Sequence, residues 1–280
     1  MLNALPLAAL LASNPAHSAE KEPSHVQAEL LAEQSSIQPG GKITLGVRLK
    51  MSGGWHTYWR NPGDSGMATK VTWILPPGFK AGELRWAYPK RFSGKKSTSF
   101  GFDDEATLLA ELSVPAPIAE KSVMIAAKVE WLECKEICVS GEAELSIKLP
   151  AKKSPPAIDR AAARIFENAR RRLPKKIGEG AFAGWTARAA RTESGVALTI
   201  PSPEPQGVFF PYDDSAVDNA PAAGATTCGG GGCSTIGLRR SRAQGASKAT
   251  RLTGVFVSIR LGQAAEIAIP IEDESPRRKQ

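Results

Sequence analysis

Hydrophobic and polar residues alternate along much of the chain, which is the pattern of half-buried β-strands. The clearest case is a pair of runs on either side of two cysteines. Apolar residues take every second position over residues 123–131 and again over residues 143–149. We therefore predict a β-hairpin that carries Cys134 and Cys138 at its tip, where a thiol pair would be both rigid and reachable.

Further short strands are predicted in both halves of the chain, after a polar lead-in over residues 20–35. In the first half they span residues 42–50, 71–75, 84–88 and 107–114, and Pro- and Gly-rich turns separate them. In the second half they span residues 185–190, 196–200, 208–210, 252–259 and 266–271. Short strands at this spacing, with no helices between them, are typical of an antiparallel β-sandwich.

The spacing of apolar residues changes between the two halves of the chain. Apolar residues from Ile158 to Leu173 recur at intervals of three and four, which predicts one helix with Ser154 as its N-cap and Pro174 beyond its end. We expect a sandwich domain over residues 24–150, a linker with this helix over 151–178, and a second, smaller β domain over 179–273. Residues 219–251 within it are rich in Gly, Ala, Ser and Arg, which predicts a mobile insertion.

Composition and charge limit the range of functions that the protein could have. The 280 residues leave room for two domains, and the formal net charge is +8. Much of the positive excess lies in residues 152–176 and 239–251 without interleaved aromatics. We interpret it as solvated surface, with an anionic partner or membrane face as the alternative, and expect no nucleic-acid partner.

The N-terminal residues predict export. An apolar run over residues 2–12 is followed by small residues, so we expect residues 1–19 to be a signal peptide. No later segment has the 18 or so apolar residues that a bilayer-spanning helix needs. Export would place the cysteines in an oxidising compartment, where disulfides persist.

The spacing of Cys134 and Cys138 allows them to form a disulfide with each other. Such a small closed loop contributes little to stability, which favours reversible exchange over a structural role. A static structural disulfide remains the alternative. Exchange requires a thiolate, which nearby positive charge stabilises. Lys135 would supply such charge, but Glu133 and Glu136 oppose it.

Other candidate sites are weaker. Zinc needs four ligands, and His17, His25 and His56 provide no second ligand pair at a suitable spacing. Cys228 and Cys233 are separated only by glycines, so we predict a local second disulfide rather than a tuned redox site. Residues 55–66 combine aromatic and turn residues, and we predict a structural corner there rather than a hydrolytic triad or a phosphate loop.

Several motifs together resemble a known family. They are the segment WHTYWRNPGDSG at residues 55–66, the segments LPPGF at 75–79 and WAYP at 86–89, and the cysteine motif WLECKEICV at 131–139. These resemble the N-terminal periplasmic domain of the thiol:disulfide interchange protein DsbD, and most closely the branch related to the ScsB copper-tolerance proteins. The resemblance covers residues 27–150 well and continues less specifically through 208–212 and 252–257.

The resemblance implies an immunoglobulin-like β-sandwich with one redox disulfide and no organic cofactor, metal or small-molecule substrate. It implies that Cys138 forms the mixed disulfide with partners and that Cys134 resolves it. Phe92 corresponds to the aromatic residue of a cap loop that shields the pair in the family. Lys90 and Arg91 stand where the best-studied branch has acidic residues.

Two functions follow as hypotheses. The first is a periplasmic relay, a protein-disulfide reductase component that takes electrons from a membrane-embedded donor and exchanges them with thioredoxin-like periplasmic proteins, with cytochrome c biogenesis as an associated process. Because the family's full-length relay has further membrane and thioredoxin-like domains, we expect either that this chain acts alone with partners encoded elsewhere or that it is a truncated gene product. The second is a non-catalytic β-sandwich binding module with a static disulfide.

Overall fold

The computed structural model describes residues 24–94, 97–201, 206–221, 223–227, 233–243 and 248–273. Within these residues the chain forms three β-sheets and one α-helix, which confirms the predicted all-β fold with a sandwich and a second β domain. The predicted signal peptide at residues 1–19 lies outside the described residues.

The first half of the chain forms a sandwich of two sheets. Its strands are β1 (Val26–Ala32), β2 (Lys42–Met51), β3 (His56–Gly63), β4 (Lys70–Ile74), β5 (Lys80–Ala81), β6 (Lys90–Ser93), β7 (Thr98–Phe102), β8 (Glu105–Ser113), β9 (Ser122–Cys134) and β10 (Cys138–Pro150). One sheet has the order β1-β2-β8-β5, and the other has the order β10-β9-β3-β7-β6 with β4 also paired to β9. Leu49 and Leu108 from the first sheet share a buried core with Trp59, Phe100 and Trp131 from the second.

Three predictions in this half were wrong in detail. The lead-in over residues 20–35 contains β1, in which the buried Val26 and Leu30 alternate with the exposed Gln27 and Glu29, but the apolar Leu31 interrupts the alternation. Residues 84–88 form no strand and make only an isolated bridge from Arg85 to Leu109. The corner predicted at residues 55–66 contains all of β3.

The single helix of the described residues covers the outer face of the first sheet. It is α1 (Arg160–Arg171), and its N-cap is Asp159, whose carboxylate accepts hydrogen bonds from the Ala161 and Ala162 amides. The predicted cap at Ser154 was therefore wrong. Phe166 packs on Leu109 of β8, whose neighbour Leu108 faces the sandwich core, so β8 is covered on both faces.

A second β domain follows the helix. Its strands are β11 (Lys175–Lys176), β12 (Arg188–Arg191), β13 (Gly195–Pro201), β14 (Gly207–Pro211), β15 (Ala223–Thr227), β16 (Cys233–Arg239), β17 (Arg251–Ser258) and β18 (Gln263–Glu272), with a short 3-10 helix at Gly180–Phe182. They form one sheet in the order β14-β17-β18-β12-β13-β16-β15, to which β11 adds beside β18. Leu198, Phe256 and Ile267 lie in its core.

The mobility predicted for residues 219–251 stays a prediction, but described parts of this segment belong to the sheet. It contributes β15 and β16, and Ile236 and Leu238 of β16 are buried in the second core. The apolar positions of β16 are few, but they alternate and pair with β13 along its full length. Tertiary pairing therefore gives strand structure to parts of a segment whose composition alone predicted none.

The second domain packs directly on the sandwich. Phe210 and Val255 belong to the same buried cluster as Trp59 and Phe100. Buried Asn61 of β3 donates hydrogen bonds to the backbone oxygen of Pro211 at 2.9 Å and to the side-chain oxygen of Asn219 at 3.0 Å. The strand that begins beside the cysteine hairpin is thus anchored at its other end by the second domain.

Candidate redox site

The cysteine pair lies at the tip of a long regular hairpin, as predicted. Strands β9 and β10 have 13 residues each and pair in unbroken register from Ser122 opposite Pro150 to Cys134 opposite Cys138. The two cysteines form a disulfide, with their Cα atoms 4.1 Å apart. The three residues between the cysteines form the turn of the hairpin, and strand pairing therefore places Cys134 and Cys138 opposite each other.

The two sulfur-bearing residues differ in exposure. Cys134 is buried, with 3% of its surface exposed, whereas Cys138 is exposed. The intervening loop is exposed as well, and its Ile137 has 63% of its surface in solvent. A second protein could therefore reach Cys138 without rearrangement of the hairpin, whereas the buried Cys134 is not accessible to it.

Strand β3 supplies the polar contact to the buried sulfur. The Tyr58 hydroxyl donates a hydrogen bond to the Cys134 Sγ at 2.9 Å and lies 3.9 Å from the Cys138 Sγ. Tyr58 is buried, and this burial raises the pKa of its hydroxyl. The hydroxyl therefore keeps its proton at neutral pH and acts as a donor to sulfur.

A histidine and a phenylalanine complete the aromatic side of the site. His56 pairs with Cys134 across β3 and β9, and its ring stacks on Phe92 of β6 at 4.4 Å with an interplanar angle of 17°. It also meets the Tyr58 ring edge-on at 5.3 Å. Burial lowers the pKa of His56, partly opposed by the charge of Asp103, so the imidazole is neutral at neutral pH.

Phe92, the predicted cap residue, is half-buried and stacks on His56, which pairs with Cys134 in the ladder between β3 and β9. Its shielding role stays a prediction. The neighbouring basic residues have partners: Lys90 forms an ion pair with Asp103, and the Arg91 guanidinium lies 5.3 Å from the centre of the Phe210 ring. Both positive charges are thus engaged in local contacts.

Gly66 creates the space that Tyr58 occupies. Its φ is +112°, a conformation that residues with a side chain rarely adopt. A Cβ added there would lie 2.1 Å from the Tyr58 ring. A glycine at this position is therefore required for Tyr58 to reach the sulfur.

Glu133 was grouped with Glu136 as a charge opposing Lys135, but the structure separates the two carboxylates. Glu133 is fully buried and accepts hydrogen bonds from Ser24, His25 and Trp131. Lys135 and Glu136, by contrast, are exposed in the loop between the cysteines. The carboxylate beside Cys134 is therefore part of the packed interior.

The remaining candidates lie apart from this site. Asp64 and Ser65 contact Thr98 and Ser99 and form no triad with His56. Among the described residues no cluster of three metal-binding side chains occurs. Cys233, at the start of β16, is disulfide-bonded, whereas Cys228 lies outside the described residues, so the pairing of these two cysteines stays a prediction.

Sequence reasoning missed Tyr58, His56 and Glu133 as parts of the site. The two aromatic residues stand two positions apart, and that spacing places both on one face of a strand. Recognising β3 would therefore have brought them together, but only the pairing of β3 with β9 shows that this face meets Cys134.

Comparisons with known proteins found a matching family model and similar solved structures. Residues 27–150 match the family model described as the N-terminal region of the thiol:disulfide interchange protein DsbD. A comparison with curated protein sequences gave no match. The N-terminal periplasmic domain of ScsB from Proteus mirabilis matches in structure with a TM-score of 0.60 and 17% identity, over 89% of this chain and 94% of that one.

The reduced N-terminal domain of DsbD from Neisseria meningitidis matches with a TM-score of 0.29 and 11% identity, over 46% of this chain and 88% of that one. The likeness to the ScsB domain is one of fold and extends over both β domains. The hairpin disulfide and its position agree with this match: residues 27–150 of this chain match the model of the DsbD N-terminal family, the family that the sequence resemblance predicted.

Proposed function

We propose that this protein is an extracytoplasmic thiol:disulfide exchange relay that passes reducing equivalents through Cys134 and Cys138 to oxidised proteins. The observation that carries the proposal is the asymmetry of the disulfide, with one exposed and one buried cysteine at a hairpin tip. An exposed sulfur can meet a partner, and a buried neighbour can resolve the product. The family match of residues 27–150 supports the same class of chemistry.

The reaction begins from the reduced pair. The Cys138 thiolate attacks one sulfur of a partner disulfide, that S–S bond breaks, and the partner's other sulfur leaves as a thiolate that takes up a proton. The Cys134 thiolate then attacks the Cys138 Sγ of the mixed disulfide. The Cys134–Cys138 disulfide forms, and the partner leaves with two electrons and two protons as a dithiol.

Tyr58 and His56 of β3 are placed to assist the second step, the attack of Cys134 on the mixed disulfide. The Tyr58 hydroxyl lies within hydrogen-bonding distance of the Cys134 Sγ and would stabilise its thiolate as the attacking group. The neutral imidazole of His56, next to Tyr58, could accept a proton released from the thiols. The Tyr58 hydroxyl lies closer to the Cys134 Sγ than to the Cys138 Sγ, and the exposed Cys138 remains open to partners.

We infer a periplasmic location and partners that carry thioredoxin-like folds, with a membrane-embedded protein as the electron source. The ScsB domain of similar fold is itself described as periplasmic, and the family match points to interchange with other thiol proteins. Within the described part of the chain, no helix has the length and apolar character needed to cross a membrane.

Trapping tests the assignment of the two cysteines. The Cys134→Ser variant should accumulate mixed disulfides through Cys138 with oxidised extracytoplasmic proteins, since the resolving thiol is gone. Cys138→Ser, the matched control with the buried thiol alone, should accumulate far fewer. Equal trapping by both variants would contradict the division of roles between Cys138 and Cys134.

The reduction potential separates the relay from a static disulfide. A relay pair should equilibrate with thioredoxin-range dithiols, whereas a structural disulfide has a reduction potential below about −300 mV and stays oxidised against them. The measurement is equilibration of the full chain with dithiol buffers, followed by alkylation of free thiols. A pair that stays oxidised throughout would make the protein a β-sandwich binding module with a static disulfide.

A further inference from the structure

A cluster beside the disulfide ties the segment before β1 to the redox hairpin. Glu133, which precedes Cys134 in β9, has 0% of its surface exposed. Its Oε2 accepts hydrogen bonds from the Ser24 hydroxyl and the Trp131 indole N–H, both at 3.0 Å, and its Oε1 accepts one from the His25 amide at 2.9 Å. Both carboxylate oxygens therefore have donors in a buried setting, where hydrogen bonds to a charged group are strong.

His25 extends this cluster to the strand that carries Tyr58. Its ring stacks on Trp55 with centroids 3.7 Å apart and an interplanar angle of 8°. Its backbone oxygen accepts a hydrogen bond from the Ser52 amide at 2.8 Å. Trp55 stands immediately before β3, so one residue of the N-terminal segment contacts both the end of β9 and the start of β3.

These contacts matter because the ladder between β3 and β9 is short. Only two residue pairs join the strands, His56 with Cys134 and Thr57 with Glu133. The distance from the Tyr58 hydroxyl to the Cys134 sulfur depends on this short ladder. Contacts that bridge the two strand ends therefore add to the two pairs and the shared core that hold Cys134 near Tyr58.

We propose that Ser24, His25, Trp55 and Glu133 form a clasp that positions the exchange site. The clasp holds β9 against β3, keeps Cys134 buried below Tyr58, and so restricts contact with other proteins to Cys138. These are positioning residues, since they act through the strands and do not touch the sulfur of a partner. The inference rests on the proposed function for its biological meaning, but the shielding itself is measurable alone.

The test measures the reactivity of the buried thiol in the full-length chain. In a Cys138→Ser background, Cys134 reacts with 5,5′-dithiobis(2-nitrobenzoate): its thiolate forms a mixed disulfide, the reagent's S–S bond breaks, and one coloured thionitrobenzoate leaves. Adding Glu133→Gln or His25→Ala should raise this rate at least tenfold. Glu144→Gln removes the same charge from an exposed position of the hairpin and should leave the rate within twofold.

A second control separates local positioning from general loss of stability. Leu198→Ala opens the core of the second domain, so it should lower the melting temperature without accelerating Cys134. If Glu133→Gln does not fold, His25→Ala decides, since its side chain is 32% exposed and tolerates replacement more readily. Clasp variants that fold but react within twofold of the parent would overturn the inference, as would equal acceleration by Leu198→Ala.

The two proposals fail in different experiments. If the Cys134–Cys138 pair does not equilibrate with dithiols but clasp variants still expose Cys134, the relay is wrong and the clasp stands. If the pair equilibrates and traps partners while clasp variants change nothing, the relay stands and the clasp is wrong.

Discussion

The Tyr58 hydroxyl lies 2.9 Å from the Cys134 sulfur although the two residues are 76 positions apart in the chain. Cys134 is buried, whereas Cys138, the other half of the disulfide, faces solvent. The pair is therefore chemically unequal before any partner binds, and the tyrosine contacts the half that would have to resolve a mixed disulfide.

Replacing Tyr58 by Phe should slow resolution of the mixed disulfide about tenfold or more. The change removes the donor to the Cys134 sulfur, and a hydrogen bond to a charged group contributes about 1.5–3 kcal/mol. The measurement is the lifetime of a mixed disulfide formed between Cys138 and a small thiol. Tyr88→Phe, which removes a hydroxyl that donates to the Gly262 oxygen, is the control and should leave the lifetime unchanged.

Replacing Gly66 by Ala should destabilise the fold by at least about 2 kcal/mol, because it adds both backbone strain and a clash with the Tyr58 ring. Urea unfolding measures this loss. Gly53→Ala is the matched control, since a Cβ at that position meets no atom within 4 Å. It should change the free energy of unfolding by no more than about 0.5 kcal/mol. Equal effects of the two changes would contradict the packing described for Tyr58.

Glu33 should make stability depend on acidic pH. Its hydrogen bond and ion pair with Arg170 hold the pKa of this carboxyl below its ordinary value of 4.5. The stabilising effect is therefore complete above pH 4.5 and is lost as the pH falls through the lower folded value. In Glu33→Gln, stability should be lower at pH 7 and should fall less between pH 5 and pH 3.

Urea midpoints at several pH values measure this dependence. Glu167→Gln, which removes an exposed carboxylate of the same helix region, is the control and should keep the acid dependence of the parent protein. A Glu33→Gln variant whose stability falls as steeply with acid as the parent would show that the pair with Arg170 is not the cause.

Replacing Asn61 by Ala should weaken the attachment of the second domain. The change removes the donor to Pro211 and Asn219 and leaves their oxygens without it, at a cost of about 1–3 kcal/mol. Because Asn61 lies on β3, Tyr58 should also become more mobile. Thermal unfolding would report the loss, and exposed Asn168→Ala on the helix should have a much smaller effect. A melting curve unchanged by Asn61→Ala would contradict this anchoring role.

Patterns among neighbouring residues predicted the cysteine hairpin and the helix. The alternation on both sides of the cysteines predicted β9 and β10, and the spacing of Cys134 and Cys138 was compatible with their disulfide. The helix was predicted but its start was not, because Ser154 and Asp159 both suit an N-cap and only the packing of Phe166 on β8 selects the later one. The strands β3 and β16 were missed because polar or small residues occupy some of their buried positions, and β1 was missed because Leu31 interrupts its alternation.

The sequence by itself determined the all-β architecture, the hairpin and the position of the cysteine pair, because side-chain alternation and short-range spacing are properties of adjacent residues. Only the tertiary structure decided which cysteine is buried, which hydroxyl meets it and what holds the two strands together. Tyr58 reaches Cys134 across 76 positions, and His25 reaches Glu133 across 108. Contacts at such separations follow from the order and register of strand pairing, which the packing of the whole sandwich sets.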